Sequence, residues 1–185
     1  AREGVEPYAA AAPLQRGEGV SVIREGDLVA LAAGALADGY VGEVGRTWPV
    51  GEVQGADKLY RRSDDLWQRL RDACRPGAPA SDLLSAYEAA GEALPPIPVA
   101  HGLGLGFDPP VISPDLPATS AAERLDPGTV LAVTSYVWEP GLGAVFSRDA
   151  VLIKDDGPEV LTAELLPEVL EQARRTNPSL ANRRL

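Results

Sequence analysis

The sequence predicts an α+β domain in which a curved, mainly antiparallel sheet is flanked by helices. Three observations predict it: a strand pair around a tight turn near residue 38, two helical segments between residues 57 and 94, and two β-rich runs after residue 130. The chain has 185 residues, of which 45% are apolar. A chain of this size can bury one sizeable core, so a single main domain is expected.

Two hairpins are expected. Residues 27–33 and 40–47 are apolar or alternating around Ala37-Asp38-Gly39, a sequence suited to a tight turn between strands. Residues 130–137 and 144–153 are rich in β-forming residues and are separated by a Pro-Gly pair. The two hairpins together would supply most of the sheet.

Helices are expected between the hairpins. Residues 57–74 carry apolar side chains at helical spacing and are followed by a Pro-Gly pair. A second helix is expected over residues 81–94, with Ser81 as its N-cap. Residues 95–117 are rich in Pro and Gly, which predicts a loop-edged segment with one short strand, and residues 167–176 predict a terminal helix.

Composition disfavours several classes of function. A net charge of −10 disfavours nucleic-acid binding through a basic face. No apolar run of about eighteen residues is present, so no membrane association is expected. Cys74 is the one cysteine, which excludes a disulfide framework, and no secretory signal is recognised, so a cytoplasmic protein is expected. His101 is the one histidine, which excludes a site built from several imidazoles.

Five short motifs carry the most specific information. They are Gly26-Asp27-Leu28-Val29, Asp38-Gly39-Tyr40, Ala100-His101-Gly102-Leu103-Gly104-Leu105, Leu125-Asp126-Pro127-Gly128-Thr129-Val130 and Gly141-Leu142-Gly143-Ala144-Val145 with the strand that follows it. Together they resemble the "pita-bread" metallopeptidases, a family that contains methionine aminopeptidase, aminopeptidase P, prolidase and creatinase. The resemblance implies the creatinase/aminopeptidase-like pita-bread fold.

In that family these motifs supply five ligands of a dimetal centre. The resemblance places the five positions at Ala32, Glu43, His101, Thr134 and Arg148. Only Glu43 and His101 among them have side chains suited to ligating a transition metal. The resemblance therefore implies a degenerate member of the family, for which we expect no metal and no other cofactor.

The charges at these positions lead to the same expectation. Several carboxylates can converge in a cavity only around divalent cations, whereas one carboxylate and one guanidinium neutralise each other. We expect Glu43 and Arg148 to lie side by side and partly buried, with His101 hydrogen-bonded to Glu43 or Thr134. The alternative is a register shifted by one residue, which would bring Asp149 into the site; strand alternation argues against it.

Two functions are compatible with these observations. The first is a pseudoenzyme that acts as a binding or regulatory subunit, using the vacated pocket or a sheet face to bind a peptide, a small ligand or a partner chain. The candidate ligand-binding residues are Glu43, His101, Thr134, Tyr136, Trp138 and Arg148. The alternative is an active aminopeptidase- or prolidase-like hydrolase, or a metal-free acid–base enzyme using Glu43 and His101, completed by residues outside this chain.

We expect the chain to be part of a larger protein. Residues 1–24 are expected to be an extended remnant of a longer domain, residues 25–176 the pita-bread-like domain, and residues 177–185 a polar tail. The sequence contains no Met and shows no helix pair before the first hairpin, which indicates that the N-terminal half-repeat is missing or trimmed. A sheet face would then lie open, so a second polypeptide or a homo-oligomer partner is expected.

Overall fold

The structure is a computed structural model and describes residues 22–115 and 123–162. Its elements are β1 Leu28–Ala37, β2 Tyr40–Pro49, α1 Ala56–Ala73, α2 Asp82–Ala90, β3 Ala100–Leu103, β4 Phe107–Ile112, β5 Val130–Glu139, β6 Gly143–Lys154 and β7 Gly157–Val160. The strands form one antiparallel sheet in the order β1-β2-β6-β5-β3-β4, with β7 paired to β6. The predicted α+β architecture is confirmed.

Both predicted hairpins form, and both are longer than predicted. The β1–β2 hairpin closes at the pair Ala37 and Tyr40 around Asp38 and Gly39, whose φ angles are 51° and 90°. These positive φ angles suit a two-residue turn that matches the twist of the flanking strands. Three of the residues 34–37 are Gly or Ala, which are weak strand formers, so the sequence did not predict this segment as strand. The segment nevertheless continues the ladder with β2.

The helices pack on one face of the sheet. α1 presents Leu59, Leu66 and Leu70 at helical spacing, all buried, and packs against β5 and β6. α2 ends at Ala90, earlier than the predicted end near residue 94. The reason is Gly91, which adopts the left-handed conformation at φ 70° and donates its N–H to the helix carbonyls.

Residues 95–117 are more regular than predicted, because they contain β4 as well as the expected β3. β4 includes Pro109 and Pro110, which cannot donate a backbone N–H to a neighbouring strand. The strand is tolerated because it lies at the end of the sheet and pairs with β3 alone among the described strands. The predicted helix at 167–176 and the tail at 177–185 lie outside the described residues.

The sheet has two unlike faces. Odd-numbered residues of β5 and β6, such as Val133 and Val151, face the helices and form the main core. Even-numbered residues of these strands face the other way, and this second face is called the site face below. The helices lie over β5 and β6, whereas β1 is largely exposed, with Leu31 at 58%. No helix within the described ranges is long and apolar enough to span a membrane.

Candidate functional site

Four strands bring polar side chains together on the site face. Glu43 comes from β2, His101 from β3, Thr134 from β5 and Arg148 from β6. Thr134 lies opposite Arg148 in the β5–β6 ladder, and Arg148 lies opposite Gly45, two residues from Glu43 on the same face. The sheet order therefore assembles four of the five motif positions into one cluster, although they are distant in sequence.

Arg148 is the centre of this cluster. Its Nη1 donates a hydrogen bond to Glu43 Oε2 at 2.8 Å, and its Nε donates to Thr134 Oγ1 at 3.1 Å. The Arg148 side chain is 8% exposed and that of Glu43 is 24% exposed. The guanidinium carbon also lies 5.5 Å from the centre of the Phe146 ring, within the range of a cation–π contact. The expected partly buried ion pair is therefore present.

His101 completes the surroundings of Glu43. Its Nε2 lies 3.4 Å from Glu43 Oε1, so each carboxylate oxygen has its own partner. The hydrogen bond with His101, and then the charge of Arg148, lower the pKa of Glu43 below its usual value, although burial opposes them. Glu43 is consequently a carboxylate at neutral pH and holds its two partners in place.

Ala32, the fifth motif position, lies in an apolar environment. It packs against a small buried cluster that includes Tyr136 and Phe146. The Phe146 ring crosses directly over Gly45, where an added Cβ would lie 2.2 Å from the ring. Sequence reasoning missed this packing, although a glycine inside a strand is a known sign of close approach. An aromatic side chain therefore fills this part of the site face.

The six candidate ligand-binding residues differ in their access to solvent. Trp138 is 40% exposed and Glu43 is partly exposed, whereas the other four are buried. Tyr136 is 4% exposed, and within the described residues its hydroxyl has no hydrogen-bond partner. Burial raises the pKa of Tyr136, so its hydroxyl keeps its proton and can act as a donor.

The alternative register is wrong, because Asp149 points to the helix side of the sheet. There it accepts hydrogen bonds from Arg46 and from the hydroxyl of Thr162. Arg46 also donates to the backbone oxygen of Arg148. Asp149 is thus held on the face opposite Glu43, and Arg148 remains the group that faces the carboxylate. Neither Arg46 nor Thr162 was predicted as a partner from the sequence.

The donor set of the cluster does not fit the dimetal centre that the resemblance implies. Glu43 and His101 supply one carboxylate and one imidazole, and the third group is a guanidinium, which cannot ligate a cation. In residues 22–115 and 123–162, no three or more His, Cys, Asp or Glu side chains lie together in a way that could hold a metal ion. The described residues alone do not form such a centre.

Comparison with known sequences identifies the class of protein. The profile of Metallopeptidase family M24 matches residues 7–155, and the chain belongs to this family. Methionine aminopeptidase 1 from Bacillus subtilis is 32% identical over 127 residues, which are 64% of this chain and 50% of the relative. The methionine aminopeptidase of Clostridium acetobutylicum is 28% identical over 165 residues, 76% of this chain and 65% of the relative. The chain thus spans about half to two thirds of these relatives.

Solved structures show the same fold. The prolidase from Pyrococcus furiosus matches with a TM-score of 0.69 and 27% identity, over 83% of this chain and 47% of that chain. A dipeptidase from Pyrococcus horikoshii matches with a TM-score of 0.67 and 29% identity, over 78% of this chain and 41% of that chain. The predicted pita-bread fold is confirmed, over part of the length of these neighbours.

Proposed function

We propose that this chain is a catalytically inactive member of metallopeptidase family M24 that acts as a binding or regulatory subunit. The observation that carries the proposal is the ion pair of Arg148 with Glu43, 2.8 Å apart and largely buried. It stands where the motifs align with ligands of the family's metal centre. A fixed positive charge at that place opposes the approach of a divalent cation.

Binding a metal there would require the pair to separate. A buried ion pair that loses one partner leaves an uncompensated charge, at a cost of about 3–5 kcal/mol. The remaining donors, Glu43 and His101, are fewer than the three or four protein ligands of a usual transition-metal site. Ala32 supplies no carboxylate and packs against the apolar cluster that contains Tyr136 and Phe146. These three features all disfavour a metallopeptidase centre.

Features of the site face support a binding role. Trp138 offers an exposed aromatic surface beside Tyr136 on the same face of β5. The Tyr136 hydroxyl is a buried donor that has no acceptor among the described residues, and Glu43 is a partly exposed acceptor. A peptide or small ligand with an apolar group for Trp138 and an N–H donor for Glu43 would match the two exposed groups. We expect this binding to take place in the cytoplasm.

The second candidate function is peptide hydrolysis by a site that residues outside this chain complete. Membership of the family favours it, and the relatives are named as methionine aminopeptidases and a prolidase. It requires ligands that the described residues do not supply. Hydrolysis without a metal would instead use Glu43 and His101, which lie within hydrogen-bonding distance of each other.

A peptidase assay separates the two candidates. The purified chain is incubated with Met-Ala-Ser and with Ala-Pro peptides, with Mn²⁺ or Co²⁺ and with a chelator, beside the Bacillus subtilis relative as a positive control. We expect no release of amino acid by this chain. The variant Glu43→Gln is the matched control, because contaminating peptidases persist in it while turnover at this site does not. Chelator-sensitive turnover that is lost in Glu43→Gln would establish the second candidate instead.

Peptide binding is measured in the same samples. Quenching or shift of tryptophan fluorescence by a non-hydrolysed peptide should be saturable, and it should disappear in Trp138→Phe. Trp67→Phe is the control, since Trp67 packs against the helix-side core and not on the site face. A signal that survives Trp138→Phe and disappears in Trp67→Phe would contradict a ligand site on the site face.

A further inference from the structure

β5 has a neighbouring strand on both sides over only part of its length. β6 pairs with the whole of β5, whereas β3 pairs with residues 131–133 alone. At the end of β3, the N–H of Thr134 donates a hydrogen bond to the O of Val99. Among the described strands, none pairs with residues 135–139 on this side. The last part of β5 therefore has one backbone edge without a strand beside it, and this edge is called the outer edge of β5.

Strand alternation fixes which backbone groups point to the outer edge. Because the N–H of Thr134 points to the β3 side, the even-numbered residues of β5 direct their N–H and C=O groups there, and the odd-numbered residues direct theirs to β6. The even-numbered residues Tyr136 and Trp138 also place their side chains on the site face. Whatever holds the outer edge therefore also holds two candidate ligand-binding residues.

Side chains of the two helices bond to the outer edge in place of a strand. The hydroxyl of Tyr87, in α2, donates to the O of Thr134 at 2.9 Å. Nη2 of Arg62, in α1, lies 3.4 Å from the O of Trp138, at the long end of the hydrogen-bond range. These contacts satisfy carbonyl groups that a neighbouring strand would otherwise bond.

Arg62 joins three parts of the fold. Its Nε and Nη2 donate to the two carboxylate oxygens of Glu92, both at 2.8 Å, and its Nη1 donates to Glu139 Oε2 at 2.6 Å. Glu92 follows α2 and its side chain is 8% exposed, whereas Glu139 is the last residue of β5. The planar fork of a guanidinium can bond to both carboxylates at once. α1, the end of α2 and the end of β5 therefore meet at this side chain.

We propose that Arg62 is a positioning residue for the candidate ligand site and holds the end of β5 so that the indole of Trp138 keeps a fixed place on the site face. It acts through the backbone O of Trp138 and the carboxylate of Glu139. The indole is 40% exposed and faces the small Ala144 across the β5–β6 ladder, so this cross-strand neighbour restrains it little. A side chain that is fixed before binding loses less entropy when a ligand arrives.

The effect on ligand binding rests on the proposed function, whereas the position of Trp138 can be measured without a ligand. A simpler role for Arg62 would be to neutralise Glu92. Arg62→Lys separates the two roles, because lysine keeps the positive charge but lacks the planar fork that reaches Glu92 and Glu139 together. If neutralisation were the whole role, lysine would replace arginine without effect on Trp138.

NMR relaxation of the indole N–H groups tests the position of Trp138 in the ligand-free protein. The chain has three tryptophans, and the signal lost in Trp138→Phe identifies that residue. In Arg62→Lys we expect the heteronuclear NOE of the Trp138 indole to fall by about a quarter or more, because its fast motion increases. The signal of Trp67, in α1, should not change. An unchanged Trp138 signal, or equal changes at Trp67 and Trp138, would overturn the proposal.

Two further variants show whether the contact with β5 is the cause. Glu139→Ala removes that contact and leaves Arg62 paired with Glu92, so we expect the Trp138 signal to change in the same direction as in Arg62→Lys. Arg69→Lys is the matched control, because Arg69 lies in the same helix and bonds to Asp65 of that helix. A Trp138 signal that is unchanged in Glu139→Ala, or that changes as much in Arg69→Lys, would contradict the proposal.

Titration with the Met-Ala-Ser peptide connects this position with the proposed function. If the wild type binds the peptide, Arg62→Lys should bind it about threefold or more weakly, and Arg69→Lys should bind it as the wild type does. Equal affinities of the two variants would overturn a role of Arg62 in the ligand site. A wild type that binds no peptide would count against the proposed function, while the ligand-free Trp138 signals would still decide whether Arg62 positions the indole.

Discussion

Removing Glu43 from its ion pair with Arg148 should destabilise the protein more than removing Arg148. Glu43→Leu leaves the guanidinium, 8% exposed, with its hydrogen bond to Thr134 but without its carboxylate partner. We expect this to cost about 3 kcal/mol, the lower end of the range for breaking a buried pair. Arg148→Met leaves Glu43, 24% exposed, still bonded to His101. That variant should lose less, about 1–2 kcal/mol, because water and the imidazole partly compensate the charge.

Removing both partners should cost much less than the sum of the two single changes. The double variant Glu43→Leu/Arg148→Met leaves no unpaired charge, and apolar replacement of a buried pair is often close to neutral. We expect a loss of about 1 kcal/mol or less, so the coupling between the two sites would be about 3–4 kcal/mol. For a chain of this length, the Glu43→Leu loss corresponds to a decrease in Tm of about 6–12 °C.

Urea unfolding of the four proteins, followed by tryptophan fluorescence at neutral pH, gives this coupling. The pH dependence gives a second check. The folded-state pKa of Glu43 is lowered from its ordinary 4.5, so its stabilisation is complete above that value and is lost as pH falls through the folded pKa. Wild type should therefore lose more stability than Glu43→Leu between about pH 5 and pH 3. If the losses of stability in the two single variants simply add in the double variant, the ion pair does not couple the two residues and the reasoning is refuted.

Three further changes are predicted. Gly45→Ala should destabilise the fold by about 1–3 kcal/mol in thermal denaturation, because its Cβ would overlap the Phe146 ring. Adding Phe146→Leu to this variant should recover part of the lost stability, and no recovery would refute the contact. Cys74 should not react with a thiol reagent at about pH 8 until the protein is denatured, because burial raises the pKa of its thiol to about 12. Rapid labelling of the folded protein would contradict the burial of Cys74. Asp149→Asn should lower stability in urea unfolding by about 1–3 kcal/mol, because it weakens two partly buried side-chain hydrogen bonds. The exposed control Asp156→Asn should change stability by about 0.5 kcal/mol or less, and equal losses would contradict these contacts.

The parts of the fold that depend on local signals could be predicted from the sequence. The turn at Asp38 and Gly39 and the apolar spacing of α1 are each set by a few neighbouring residues. β4 could not be predicted, because its Pro109 and Pro110 are tolerated only at the end of a sheet. Its position there follows from the strand order and not from its own residues.

The candidate site was predictable to a similar extent. The motif register brought Glu43 and Arg148 together, and strand alternation excluded Asp149 as a neighbour of Glu43. The crossing of Phe146 over Gly45 was not predicted, because it depends on how β2 and β6 meet. Burial of most of the expected ligand-binding residues could not be predicted either, since it results from side chains packing across several strands.

The metal content of the purified protein is the most direct test of the proposal that the ion pair has replaced a metal centre. The chain is incubated with excess Mn²⁺, Co²⁺ or Zn²⁺, dialysed mildly and measured by elemental analysis, with the Bacillus subtilis methionine aminopeptidase treated in the same way. Because Arg148 occupies the carboxylate of Glu43, we expect the chain to retain far less than one metal ion per molecule while the relative retains its metal. Retention of about one ion or more per chain, lost in Glu43→Gln, would contradict the proposal.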